Sequence, residues 1–266
     1  MLARRKVSVS SCSQGAPLNL VETLRAPLAE AGLNHLGVVG KARYDAAAPP
    51  ALRTDRLHPA TRSIVVIGSG GREHWNRFLA WLEADPAGRL AARDHPLDDF
   101  AAATLASLQP LLVGCRVFFP ALDAPVSLNF TRLAALAGLG APSELGILVS
   151  ERFGPWFGLR AAIFAPFELE EGQPAGSSCD GCPAPCRSAC PVAIVGPHKF
   201  PWRSCKAARE APGSPCRARC GAREACVVAP QERYDTLEMT YHYDRVSGRR
   251  ALCARFGVAD EREGRS

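Results

Sequence analysis

The stretch Cys179-Asp-Gly-Cys182-Pro-Ala-Pro-Cys186-Arg-Ser-Ala-Cys190-Pro191 decides how the second half of this chain folds. Its cysteines are separated by two, three and three residues, and four more follow at looser spacings: Cys205, Cys216, Cys220 and Cys226. From Glu168 to about residue 226 the chain is rich in Cys, Pro, Gly and Arg and poor in periodic apolar residues. Such a segment cannot build a core of its own, so we predict that it folds around metal.

Dense cysteines indicate either disulfides or metal chemistry, and the compartment decides between them. The N-terminus Met1–Lys6 is basic, but no apolar signal-peptide region follows it. No run approaches the ~18 apolar residues that a membrane helix needs. We therefore expect a cytoplasmic protein with no membrane partner, in which reducing conditions favour metal or redox chemistry. The total of 11 cysteines is odd, which excludes complete disulfide pairing within one chain.

Thiolates at these short spacings bind iron or zinc. The bacterial ferredoxin run is C-x2-C-x2-C-x3-C-P, in which the fourth cysteine serves a second cluster. This chain keeps the C-x3-C-P ending and has one extra residue between Cys182 and Cys186. The eight clustered cysteines match one or two 4Fe–4S clusters, with zinc as the alternative. We expect Cys12, Cys115 and Cys253, which stand alone, to be small buried or surface residues.

The bulk composition is ordinary for a soluble globular protein. Of 266 residues, 47% are hydrophobic and 22% are charged, and the formal net charge is +6. We interpret this charge as too small and too diffuse to mark an RNA surface. A role with nucleic acid is therefore not favoured, although tRNA stays open as a partner.

Apolar periodicity predicts mixed helices and strands before the cysteine segment. Helices are predicted at 19–31, around Trp75 to Leu82, from Asp98, and from Phe130 to Ala137; strands are predicted at 36–39, 63–67, 116–119, 145–149 and 159–167. We interpret Gly68–Gly71 as a plain strand-to-helix turn, and His242 as ordinary helix surface. The predicted domains are a flexible N-terminus 1–14, a mixed α/β or α+β core 15–168, a cysteine-rich segment 169–228, and a C-terminal helix and tail 229–266.

Two family resemblances meet in this chain. The cysteine segment with Cys190-Pro-Val-Ala-Ile194 resembles the ferredoxin module of epoxyqueuosine reductase, a cobalamin- and 4Fe–4S-dependent enzyme of tRNA modification. Ala137-Gly-Leu-Gly140 and Phe153-Gly-Pro-Trp156 resemble its cobalamin domain. This resemblance implies that Asp123, in Leu122-Asp-Ala-Pro125, is the catalytic proton donor.

The second resemblance is to the CblC-type cobalamin-processing family, called MMACHC in animals. It is carried by Ser150-Glu-Arg-Phe-Gly-Pro-Trp-Phe-Gly-Leu-Arg160-Ala, by Ala229-Pro-Gln-Glu-Arg-Tyr234 and by Arg249-Arg-Ala-Leu252. It covers most of residues 65–257. Together the two resemblances imply an α+β, nitroreductase- or flavin-reductase-like, cobalamin-binding domain with an inserted ferredoxin-like iron–sulfur segment.

The CblC-type resemblance also implies cofactor-binding residues. Arg160, Arg233 and Arg249 match arginines that help bind glutathione, and a guanidinium suits carboxylates because it binds them bidentately. Trp156 is expected to pack on the corrin or to fill the core beneath it.

These features predict an iron–sulfur cobalamin-binding reductase. Electrons would pass from the cluster to a bound corrinoid, for its processing or for reduction of a substrate. A ferredoxin or a flavin reductase would supply the electrons. Three alternatives stay open: a ferredoxin-like electron-transfer protein, an epoxyqueuosine-reductase-like enzyme acting on tRNA, and a zinc-stabilised binding module.

Overall fold

The computed structural model describes residues 20–90, 95–120 and 127–260. Cys12, Asp123 and the predicted N-terminal segment 1–14 lie outside these ranges. The strands are β1 (His35–Gly40), β2 (Ser63–Gly70), β3 (Arg116–Phe118), β4 (Ala141–Pro142), β5 (Leu148–Val149) and β6 (Phe157–Ala165). The helices are α1 (Leu20–Glu30), α2 (Lys41–Ala47), α3 (Thr54–Leu57), α4 (Glu73–Ala84), α5 (Pro86–Leu90), α6 (Pro96–Ser107), α7 (Phe130–Leu136), α8 (Pro185–Ser188), α9 (Trp202–Glu210), α10 (Gly221–Glu224), α11 (Thr236–Tyr243) and α12 (Arg245–Phe256).

The main sheet is antiparallel, with strand order β1-β2-β6-β3. Every residue of β2 is buried, because apolar clusters cover both faces of the sheet. Val65 and Ile67 pack with one cluster, and Ile64 and Val66 pack with the other. Burial on both faces explains why the strand reads as a continuous apolar run rather than as an alternating one.

Helices form a layer on each face of this sheet. On one face α1, α4 and α6 pack with the C-terminal helices, and Leu24, Phe78, Tyr241 and Leu252 share a single buried cluster. On the other face α2 and α7 cover β1 and β6. The predicted α+β class is confirmed.

The sequence predictions differ from the structure in two places near the sheet. Gly68–Gly70 belongs to β2, and the turn to α4 comes later, at Gly71 (φ +63°). The strand is longer because Asn34 clamps its end: the Asn34 amide donates to the Gly70 carbonyl at 3.1 Å, and its oxygen accepts from the Gly70 N–H at 2.8 Å. The strand predicted at 145–149 shortens to β5, which pairs with β4.

The single C-terminal helix that the sequence predicts is two helices. Asp244 separates α11 from α12, and its side chain accepts hydrogen bonds from the Ser247 N–H at 3.2 Å and from the Ser247 hydroxyl at 2.9 Å. An N-cap of this kind starts a new helix and so divides the predicted one. In the described part of the chain, no helix is long and apolar enough to cross a membrane.

Candidate metal centre

The cysteine segment has little regular structure and a constrained backbone. Its only helices among the described residues are α9 and the single turns α8 and α10. Ala184, Ala193 and Ala229, which all lie in or beside this segment, are the described non-glycine residues with positive φ, between 48° and 53°. Such conformations cost free energy and persist where the surroundings fix them, often at functional sites.

The eight clustered cysteines fall into two groups of four. We name the first thiol group Cys179, Cys182, Cys186 and Cys226, which together line one small cavity. We name the second thiol group Cys190, Cys205, Cys216 and Cys220, which together line a separate cavity of about 360 Å³. The grouping does not follow the order along the chain. Cys226, the last cysteine of the later run, joins the first group, and Cys190, the last of the earlier run, joins the second.

Electrostatic coupling between the thiols follows the same division. Burial is the main factor that raises the pKa of Cys186, and the other three members of the first group raise it further. Burial likewise raises the pKa of Cys205, and the other three members of the second group add to the effect. The mutual effect shows that the four sulfurs of each group lie near one another, and four neighbouring thiolates are a donor set for iron or zinc.

Backbone N–H groups point at two of the sulfurs. The Ala184 N–H donates to Cys182 Sγ at 3.4 Å, and the Arg223 N–H donates to Cys220 Sγ at 3.4 Å. Hydrogen bonds to sulfur are one of the means by which proteins set the reduction potential of iron–sulfur clusters. All eight cysteines are free thiols.

The geometry of the thiols bears on the kind of metal. Within the described ranges, no group of three or more His, Cys, Asp or Glu side chains is arranged to hold a metal ion. A tetrahedral zinc site needs four sulfurs about 2.3 Å from one point. Both zinc and an iron–sulfur cluster therefore stay open for either thiol group.

A small apolar cluster separates the two thiol groups. Leu145 lines both cavities, and it packs with Val195 and Ala222 against cysteines of both groups. The side chain of Arg223 leads from here into the main domain. Its guanidinium lies 4.8 Å from the centroid of the Trp156 ring and donates a hydrogen bond from Nε to the Pro155 carbonyl at 3.1 Å.

The residues predicted to bind a corrin or glutathione lie in different surroundings. Trp156 is fully buried, because Tyr234 and Arg223 cover its ring. Arg160 is buried, and its Nε donates to Ser69 Oγ at 3.0 Å.

The other two predicted arginines lie at the two ends of the C-terminal region. Arg233 is exposed and donates to the Cys226 carbonyl at 3.4 Å. Arg249 is buried, where its Nε pairs with Asp260 at 3.1 Å and its guanidinium also donates to the Leu90 carbonyl. As cofactor-binding residues, all four stay predictions, as does Asp123.

Sequence reasoning missed an interior polar cluster, which we define as His74, Trp75, Arg160, Glu238 and His242. His242 Nε2 is buried and lies 3.9 Å from Glu238 Oε1, so this histidine is not the ordinary helix surface that the sequence indicated. The spacing of four residues along one helix was the available signal. Among the residues that the structure describes, no hydrogen-bond partner is found for four buried atoms of this cluster: His74 Nε2, Trp75 Nε1, Glu238 Oε2 and His242 Nε2.

Three members of the interior polar cluster have strongly shifted pKa values, and burial lowers the pKa of His242 well below its usual range. Burial, reinforced by the positive charge of Arg160, lowers the pKa of His74 to about 3. Because Nδ1 of this neutral ring lies 2.6 Å from the Ala31 carbonyl, Nδ1 carries the proton and Nε2 is a bare acceptor. Burial, reinforced by Asp235, raises the pKa of Glu238 to about 8, so this carboxyl is neutral at pH 7.

Comparisons with known proteins give matches of structure and none of sequence. No protein-family profile matches the chain, and no curated protein matches it significantly. Among solved structures, the CblC B12-trafficking protein of Caenorhabditis elegans, a homologue of human MMACHC, aligns with 89% of this chain and 95% of its own, at 13% identity and TM-score 0.58.

Epoxyqueuosine reductases match as well. One, crystallised with a modified tRNA-Tyr stem loop, aligns with 84% of this chain and 69% of its own, at 15% identity and TM-score 0.53. That of Bacillus subtilis aligns with 82% and 68%, at 16% identity and TM-score 0.51. This chain spans between 54% and 69% of the length of the reductases it matches. The expected likeness to both families is confirmed at the level of the fold.

Proposed function

We propose that this chain is an iron–sulfur reductase, which holds two 4Fe–4S clusters in its two thiol groups and passes electrons to a corrinoid. The observation that carries the proposal is the division of the eight cysteines into two fours, each around its own cavity. This division occurs on a fold shared with a B12-trafficking protein and with epoxyqueuosine reductases.

The donor set of each thiol group fits a 4Fe–4S cluster, which takes four cysteine thiolates and supplies one-electron transfer when bound. The crossed pattern also fits, because the cysteine that precedes a proline serves the other cluster in two-cluster ferredoxins. Here Cys190 precedes Pro191 and lies in the second thiol group, away from Cys186.

The residues between the thiol groups would govern electron movement and water access. Leu145, Val195 and Ala222 keep the gap between the cavities apolar. Arg223 holds the second group against the main domain through the Pro155 carbonyl and the Trp156 ring. Electrons that leave the thiol groups would therefore reach the domain at the packed contact between Arg223 and Trp156.

The corrinoid part of the proposal is supported by the shared fold. A corrin that contacts Trp156 directly would require Arg223 or Tyr234 to move, because these side chains cover the ring. The neutral Glu238 lies behind it as an interior group that could store or pass a proton, and Arg160 is a buried positive charge beside it. Asp123 stays the proposed proton donor, with glutathione as a proposed co-substrate of Arg160, Arg233 and Arg249. A cytoplasmic location belongs to the same proposal.

A second candidate is an epoxyqueuosine-reductase-like activity on tRNA. One observation favours it: the fold matches a reductase that was crystallised with a tRNA stem loop. A ferredoxin-like carrier and a zinc-stabilised module are the remaining alternatives, and the experiment below separates all four.

The test is anaerobic reconstitution with iron and sulfide, followed by titration with cobalamin. We expect about eight iron atoms per chain, reducible clusters by EPR, and a change in the cobalamin spectrum on binding. Cys115→Ser is the matched control, since this cysteine belongs to neither thiol group. Clusters without cobalamin binding would indicate an electron carrier, and zinc without iron would indicate the binding module. Cobalamin-dependent reduction of an epoxyqueuosine-containing stem loop would establish the second candidate.

A further inference from the structure

An exposed tryptophan marks the mouth of the second thiol group's cavity. Trp202 is 59% exposed, although a tryptophan is ordinarily largely buried. It shares a face of α9 with Cys205, three residues on, and both side chains line this cavity. Val192 and Ile147, also exposed, line the same cavity. An apolar patch therefore surrounds the opening through which the second thiol group meets solvent.

Basic side chains lie beside this patch: Lys206, Arg209 and Arg219 line the same cavity, and Arg203 lies against Trp202 on α9. The 25 residues from Lys199 to Arg223 contain seven basic side chains and one acidic side chain. Their net charge equals the +6 of the whole chain, so the charge is concentrated in this stretch, in which Arg223 alone is buried against Trp156.

Part of that charge is neutralised locally and part is not. Arg217 pairs with Asp244 and Arg219 pairs with Glu224. Lys206 pairs loosely with Glu210 at 3.7 Å, where both side chains are exposed. Lys199 and Arg203 form no ion pair with any residue that the structure describes, and the Arg203 guanidinium lies 5.3 Å from the Trp202 ring.

An apolar centre within a charged rim is the anatomy of a transient protein interface. Tryptophan and arginine are the residues that most often carry the binding energy of such interfaces. A nucleic-acid surface would interleave several exposed aromatics with its basic residues, and Trp202 is the single exposed aromatic of α9. The basic rim would attract an acidic partner and raise its association rate.

We propose that this face, centred on Trp202 and rimmed by Arg203 and Lys206, docks a small acidic one-electron carrier protein, which delivers electrons to the second thiol group. The inference rests on the proposed function, because it needs a cluster in that group. In each encounter the donor loses one electron and the cluster gains it, with no proton or bond change. Electrons thus enter at the second thiol group.

The test uses the reconstituted full chain and an acidic plant-type 2Fe–2S ferredoxin as the probe. Binding of oxidised ferredoxin is measured by calorimetry at low and high salt, and cluster reduction by reduced ferredoxin is followed by stopped flow. We compare Trp202→Ala and the double variant Arg203→Glu with Lys206→Glu. The control is Arg56→Glu on α3, where the side chain is 74% exposed.

We expect the double variant to weaken ferredoxin binding by about tenfold or more. Trp202→Ala should also weaken binding, and its effect on the affinity should depend less on the salt concentration. The control should bind as the parent does. Dithionite should reduce the clusters of every variant equally, which shows that the clusters are intact.

Two results would overturn the docking surface. The first is ferredoxin binding that neither variant weakens, in a chain that loads its iron normally. The second is a tRNA stem loop that binds this face, loses affinity in the double variant and displaces ferredoxin. A chain that loads no iron would instead overturn the proposed function, and the iron count distinguishes the two failures.

Discussion

The guanidinium of Arg223 lies 4.8 Å from the ring centroid of Trp156, and it joins the cysteine segment to the α+β domain. Arg223 is 9% exposed, sits between Cys220 and Cys226 in sequence, and also lies 4.9 Å from the ring of Tyr234. A buried cation between two aromatic faces and a carbonyl is a strong contact.

Removal of this contact should loosen the cysteine segment. We expect Arg223→Ala to lower the free energy of unfolding by about 2–4 kcal/mol, through the lost charged hydrogen bond and the lost cation–π contacts. Chemical denaturation of the reconstituted protein measures the change. Arg217→Ala, whose side chain is 62% exposed, is the matched control and should change stability by less than about 1 kcal/mol. Equal effects of the two substitutions would contradict the assignment.

Each thiol group takes three cysteines from one run and one from the other. Pairs of cysteine substitutions should therefore change the iron content differently from what the order along the chain suggests. Cys186→Ser with Cys226→Ser disrupts one group, so the chain should retain about four irons. Cys186→Ser with Cys190→Ser disrupts both groups, so it should lose most of its iron. Iron and sulfide analysis with EPR gives the answer. If Cys186 and Cys190 shared a cluster, the second double variant would be the one that retains four irons.

The neutral Glu238 predicts a pH dependence of stability. The pKa of this carboxyl is about 8 when folded and near 4.5 when unfolded, so between these values the folded state binds more protons. Stability therefore falls as the pH rises through this window. Glu238→Gln should remove that fall, measured by urea unfolding between pH 6.5 and 8.

The measurement starts at pH 6.5 because of His74, whose folded pKa is about 3. Below pH 6.5 this histidine makes stability rise with pH, which opposes the effect of Glu238. Glu83→Gln, on the exposed side of α4, is the control and should retain the parent's pH dependence. A Glu238→Gln profile as steep as that of the parent would mean that Glu238 is ionised when folded.

The two C-terminal helices pack too closely for a side chain at Gly248. A Cβ there would lie 2.3 Å from the Cα of Tyr241, which is backbone and cannot swing away. We expect Gly248→Ala to destabilise the protein by about 1–3 kcal/mol, measured by thermal unfolding. Gly176→Ala is the control, because a Cβ at that position meets nothing within 4 Å.

Removal of metal should affect the two parts of the chain differently. We expect chelation under air to unfold residues 169–228 while the sheet and its helices stay folded, because only the sheet region has a large apolar core. Limited proteolysis with mass spectrometry would then show new cleavage confined to the cysteine segment. Cleavage spread across β2 and β6 would show instead that the two parts unfold together.

Local sequence signals were sufficient for most elements of the α+β domain. The apolar run of β2 and the periodic faces of α1, α4 and α7 each follow from neighbours along the chain. Local sequence signals failed where a residue distant along the chain makes the contact, as when the hydrogen bonds of Asn34 extend β2 through Gly70. The interior polar cluster escaped for the same reason, since the burial of Glu238 depends on the whole packing around α11.

The sequence by itself determined the number and spacing of the cysteines, and it predicts that residues 169–228 fold around metal. It left open which cysteines act together. Only the tertiary structure decided that Cys226 joins Cys179 while Cys190 joins Cys205. The physical reason is that ligand sharing depends on distance in space, which the spacing of the cysteines along the chain does not give.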